Sequence, residues 1–223
     1  HRAFYTFPRR RSLLCPFCAC IKRKCKSNKK LDRDIGAFIG QEAMHSKEHH
    51  AFHESAQQFG LNPESLENVT GIILKAIEKF FPKKWNLLVT VGLEHYTAVL
   101  VVYMMQSLNE KMDNESIRNL WLWHSIEETE HKAVAYDMYE YLYGKGLDAY
   151  IPRIAIFSLS LTLITFMSFG FQFVLMARDK QLANVKSWLK FGKFTLNSYS
   201  KLIPKFFSFY RMNFHPNETD EAE

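Results

Sequence analysis

The sequence predicts an all-α fold, and three observations predict it. Seven Pro and nine Gly in 223 residues leave little punctuation for a loop-rich β fold. Stop signals at Gly60–Pro63, Phe81–Pro82 and Gly144–Gly146 mark off segments of helical length. Inside those segments Glu and His recur three residues apart, the spacing that puts two side chains on one helical face.

The elements follow in order. Residues 1–30 show no amphipathic period: three Arg, four Cys and a Lys/Arg run crowd together. From Leu31 the pattern becomes helical, with Asp32 or Asp34 as the expected start and Gly60 as the end. Ser65–Asn68 opens a second helix that should stop near Phe81–Pro82. A long apolar helix is expected over about 84–109, and Asp113 or Asn114 should cap the next, which runs to Tyr143 before Gly144. Residues 154–177 carry no charge and are bracketed by Arg153 and Arg178. They are long enough to span a bilayer, and Ser158, Thr162, Thr165 and Gln172 also suit a buried core helix. Residues 186–211 interleave bases and aromatics, as a helix on a membrane or packed back on the domain would. The expected organisation is an anomalous segment 1–30, a metal-binding bundle 31–146, hydrophobic and basic–aromatic helices 147–215, and an acidic tail 216–223.

The formal net charge is +6, with the excess at the two ends. A basic end can meet an anionic surface. No nucleic-acid module is recognisable, so nucleic acid is not an expected partner. Arg9–Arg11 follow the start with no apolar stretch before them, so no secretory signal is read there. Opening on His1 suggests a fragment or processed form.

Two Glu-x-x-His motifs carry the chemistry: Glu42 to His45 and Glu128 to His131. At about 100° per residue, Glu42, His45, His49 and His53 share an arc, as do His124, Glu127, Glu128 and His131. Glu94 stands alone in an apolar helix, between Leu87–Val89 and Val99–Val102. A buried carboxylate is costly unless paired or metal-bound. One such motif on an exposed face would only be hydrated. Two motifs and an inward Glu form the donor set of a di-iron or di-manganese carboxylate bundle. Carboxylate with imidazole suits two divalent ions, Fe or Mn ahead of Zn. Both Glu127 and Glu128 are spaced to share a face with His131.

The segments Phe38–Ser46, Gly92–His95 and Trp121–Ala135 resemble a bacterial family labelled predicted metal-dependent hydrolase, over about residues 31–215, including the closing Phe214–His215–Pro216. The resemblance implies a ferritin-like helical bundle with additional C-terminal helices. It implies a ligand order of Glu, Glu-x-x-His, Glu, Glu-x-x-His, with Glu42, His45, Glu94, Glu128 and His131 in the last three places. His49, His124 and Glu127 would orient ligands or substitute for them. The expected activity is metal-dependent hydrolysis or oxygen-dependent oxidation of a small apolar substrate, in the bacterial cytoplasm or at the inner membrane. The rival expectations are a non-catalytic metal-binding or membrane-associated protein, and a variant inactivated by loss of the first Glu. A homo-oligomer is compatible with either.

That first Glu is where the chain departs. The family's opening helix resembles F-P-x-G-E-x-F-F-V-R-S-V-R, and here Phe7–Pro8 leads to Arg11 at the Glu position. Read one base downstream with allowed codons, residues 9–19 can encode E-G-E-A-F-F-V-R-S-V-R. A compensated frameshift would also account for Cys15, Cys18, Cys20 and Cys25 clustering without the paired spacing of a zinc knuckle. The gene's nucleotides decide: codons unable to give V-R-S-V-R in the shifted frame would rule it out.

Overall fold

The computed structural model describes residues 22–57, 62–111 and 114–218, and among them there are helices and no strand. Arg11, Cys15, Cys18 and Cys20 lie outside the described residues, as does the end of the acidic tail. The chain divides into two compact units, the first ending at Phe81 and the second starting at Pro82.

The first unit holds a short 3₁₀ turn, Lys22–Cys25, then α1 (Lys29–Gln57) and α2 (Glu64–Phe80). The start of α1 differs from the expected Asp32 or Asp34. Asn28 is its cap, accepting the Leu31 N–H at 3.1 Å through its side chain. Asn62 opens α2 in the same way, accepting the Ser65 N–H at 3.2 Å just ahead of Pro63. The inward face of α1 begins apolar, with Leu31, Ile35 and Phe38 buried, and continues at the same spacing through Glu42 and His45, also buried. An apolar stripe that turns to carboxylate and imidazole part-way along is the signature of a site inside a helical core. Cys25 is a buried free thiol whose pKa is raised by burial and by Asp32, the opposite of a reactive or metal-binding cysteine.

The second unit is built around α3 (Lys83–Lys111). It packs against α4 (Glu115–His131), α5 (Val134–Tyr143), α6 (Leu147–Arg178) and α7 (Val185–Ser208). Leu87, Leu88, Val91, Ala98, Val99 and Val101 are buried on several sides of α3, as suits a central helix. Gly92 lets α6 come close: a Cβ there would lie 3.4 Å from the Phe157 ring, so Ala just fits and a larger side chain would push α6 away. The expected continuous helix to Tyr143 is interrupted at Lys132–Ala133, dividing α4 from α5. Its C-terminus is as expected: Gly144 has φ +76° and its N–H returns to Glu140 O at 2.8 Å.

Residues 209–218 close the second unit as a strap. Phe209, Phe214 and Pro216 are buried, and His215 Nε2 meets Asp137 Oδ1 of α5 at 2.9 Å. The Phe214 carbonyl accepts from Tyr136 Oη, which also receives Arg153 Nη1. Arg153 Nη2 donates to Arg211 O at 2.7 Å. Arg153 is therefore an internal clasp and not the membrane-side bracket that its place beside an uncharged stretch suggests.

His95 sits in an aromatic cage, its ring 4.9 Å from Phe209, 5.1 Å from Phe214 and 5.4 Å from Phe157. Burial pushes its pKa down to about 3, with Lys132 and Arg153 acting in the same direction and a hydrogen bond to the Lys205 backbone opposing them. The folded state thus keeps His95 neutral where the unfolded chain protonates it. Stability from this group is complete above pH 6.5 and is lost as pH falls toward 3. The expected loss at pH 5 is about 2 kcal/mol. Urea titrations of the metal-free protein at pH 7.5 and 5 should show it, and His95→Phe should remove most of the difference.

Candidate metal centre

The first unit presents Glu42 and His45 one turn apart on α1. They are 5% and 4% exposed, and His45 Nδ1 lies 3.5 Å from Glu42 Oε1. His49, a turn further on, is half-buried, and its pKa is lowered by burial first and then by His45 and His53. Glu42 and Glu67 act the other way on it. His53 Nδ1 meets Glu67 Oε2 of α2 at 3.1 Å, so the last His of the stripe ties the two helices together. The predicted arc of Glu42, His45, His49 and His53 is present, and it grades from buried to half-buried.

The second unit presents Glu94 and Glu128. Glu94 is 1% exposed in the middle of α3, and Glu128 is 6% exposed on α4. Thr97 Oγ1 donates to Glu128 Oε2 at 2.9 Å, which brings α3 and α4 together at this point. His124 Nε2 lies 3.5 Å from Glu128 Oε1, four residues back on the same helix. Glu128 is thus held from both sides, while Glu127 is only half-buried. The i,i+3 spacing to His131 favours Glu128, with Glu127 the i,i+4 alternative, and it is Glu128 that meets Thr97. His131 is the last residue of α4, and its side chain lies outside the described residues.

Two neighbours escaped the sequence reading. Thr97 stands three residues after Glu94, on the same face of α3, and a hydroxyl in an apolar helix beside a carboxylate is the signal that could have found it. Lys132 follows the second motif and is buried. Its charge is one of the influences that keep the His95 imidazole neutral. Nothing in its spacing marks it, because Lys is usually exposed at a helix end.

The donors offer only oxygen and nitrogen. Carboxylates 5%, 1% and 6% exposed at Glu42, Glu94 and Glu128 would each be costly to hold charged in an apolar interior without compensation. In each unit imidazole stands beside carboxylate, His45 by Glu42 and His124 by Glu128, and such oxygen and nitrogen donors fit Fe, Mn or Zn and not a soft thiophilic ion. The residues present therefore fit a divalent metal.

No curated protein and no solved structure shows significant similarity to the chain. A family model described as "Predicted metal-dependent hydrolase" matches residues 5–220, nearly the whole chain and more of its N-terminus than the quoted motifs cover. The chain belongs to that predicted metal-dependent hydrolase family.

Proposed function

We propose that the protein is a metal-dependent hydrolase with a binuclear centre, ligated by Glu42, His45, Glu94, Glu128 and His131. The observation that carries this reading is the burial of three carboxylates and an imidazole, where charge is costly without a counter-charge or a metal. Fe or Mn is the preferred metal on donor chemistry, with Zn a third choice. A bound divalent ion in such a centre lowers the pKa of water and polarises a carbonyl or phosphoryl oxygen.

The chain's own groups do the rest. Glu42, Glu94 and Glu128 supply the negative charge that retains a cation. Thr97 fixes one oxygen of Glu128 through its hydroxyl and leaves the other toward His124. His49, His124 and Glu127 orient ligands by hydrogen bonding and can carry protons at the edge of the site. The apolar wall of α3 around Glu94, formed by Leu87, Leu88, Val91 and Ala98, supports a small apolar substrate.

A panel of aryl esters, amides and phosphates tests this with protein loaded separately with Fe, Mn and Zn. The expected result is metal-dependent turnover that Glu128→Gln abolishes without loss of helicity. Oxygen consumption by the iron form, with no hydrolysis by any form, would replace hydrolysis by oxidation. Thr97→Val should keep the metal but lower turnover by about tenfold, the lower end for loss of a group that orients a ligand.

A further inference from the structure

We propose that the hairpin formed by α6 and α7 is a docking face for an anionic phospholipid surface, on which it lies without spanning the bilayer. The helix α6 is long and apolar enough to cross a bilayer, yet only 11% of its most apolar eighteen residues is buried in the protein. A core helix would be mostly covered. Leu163, Phe166 and Phe173 instead point outward from α6, Phe166 with 73% of its surface exposed. On α7, Val185, Leu189, Leu196 and Phe207 recur at spacings that put them on one face, and all are exposed, Leu196 by 75%. The opposite side of α7 is the one that packs, through Ser198, Leu202 and Phe206. Patches of this kind are rare on monomeric soluble proteins unless something covers them.

The hairpin is built, not loose. Phe169 meets Phe191 at 5.9 Å and Phe173 meets Trp188 at 6.4 Å across the two helices. Asn184 caps α7 through its side chain, accepting from Lys186 N at 3.1 Å and Ser187 N at 3.3 Å. Trp188 Nε1 donates to Leu182 O in the turn at 2.8 Å.

Charge selects the partner. Asp179 is the only acidic residue between 154 and 217, against Arg178, Lys180, Lys186, Lys190, Lys193, Lys201, Lys205 and Arg211. Lys186, Lys190 and Lys193 flank the apolar face of α7 and are exposed. Apolar side chains bordered by lysines are the pattern of a helix seated at an anionic interface. A second copy would bring like charges together across a two-fold contact, which opposes self-association through this face. Spanning is opposed by the hairpin itself. The first half of α6 and the last half of α7 both pack on α3, so a crossing would carry α7 and its lysines through the bilayer.

Sedimentation of the full chain with phosphatidylcholine vesicles, and with vesicles containing 30 mol % phosphatidylglycerol, reads this without metal or turnover. The protein should pellet with the anionic vesicles and be released by salt. Lys186→Gln with Lys190→Gln and Lys193→Gln should weaken binding by about a hundredfold. Phe166→Glu with Leu196→Glu should abolish it, with helicity by circular dichroism and metal content unchanged, since both sites are exposed. Protein left in the supernatant with both vesicle types would overturn the proposal. So would a dimer in solution that the double Glu variant converts to monomer, since the face would then be a contact between copies.

Discussion

Glu94→Gln leaves a folded chain that no longer gains stability from metal. In the unsubstituted protein, a divalent ion at a hundred times its dissociation constant should add about 2.7 kcal/mol. In a chain of this length that raises the melting temperature by roughly 5–10 °C. Glu94 carries the argument because it has the least ordinary reason to be where it is. It is 1% exposed at the centre of the helix that the rest of its unit packs on. Gln keeps the shape and removes the charge that holds a cation, so the metal-dependent shift should vanish while the helical spectrum stays. His50→Gln is the control, since His50 is exposed on α1 beside Glu54 and should not alter the shift. Thermal melts with and without Mn or Zn check both. A Glu94→Gln protein with the full shift would remove Glu94 from the ligand set.

The second large effect is structural. Arg153→Met should destabilise the second unit by about 3–5 kcal/mol, since it deletes at least two hydrogen bonds from a charged donor, each worth about 1.5–3 kcal/mol. The guanidinium of Arg153 serves two carbonyls of the strap, Arg211 O at 2.7 Å and Phe214 O at 3.5 Å, besides Tyr136. It also lies 5.2–5.9 Å from the ring centres of Tyr136, Tyr150, Phe209 and Phe214. Removing it leaves Phe214 O with the Tyr136 hydroxyl and Arg211 O with the Phe214 N–H, so the loss is that of the guanidinium's own hydrogen bonds and ring contacts. Lys in its place carries the charge without the planar fork and should recover only part of the loss. Tyr136→Phe removes one hydroxyl from the same network and should cost less. Urea unfolding of the single and double variants gives the coupling, and additive losses would contradict a shared clasp.

The helices and the site were legible to different depths. Among the described residues, stop signals and apolar runs located the long helices, because Gly144 and Pro82 act locally, although α6 starts at Leu147, ahead of the uncharged run. Glu42 and His45 were legible because they continue the spacing of Leu31, Ile35 and Phe38, so a core stripe visibly changes chemistry. The cap of α1 was misread because Asp32 and Asn28 are both good capping residues, and only the hydrogen bond to Leu31 distinguishes them. The break at Lys132–Ala133 has no Gly or Pro to announce it. Whether α6 would be core or surface was not legible either. That depends on neighbours such as Phe209 and Tyr210, far along the chain, and composition is blind to them. For the same reason Arg153 read as a flank of an apolar run, when its partners lie in the strap about sixty residues later. The closing Phe214–His215–Pro216 motif was legible as a pattern, and its role became clear only when Tyr136, Asp137 and Arg153 were seen to hold it.

X-ray absorption at the metal edge of the zinc-loaded protein tests the central claim most directly. Coordination by the carboxylates and imidazoles of Glu42, His45, Glu94, Glu128 and His131 predicts a shell of oxygen and nitrogen at about 2.0–2.2 Å with no sulfur. A shell at about 2.3 Å, the distance of a thiolate, would place the metal on the cysteine cluster and contradict the account. A folded chain that takes up no metal would contradict it as well.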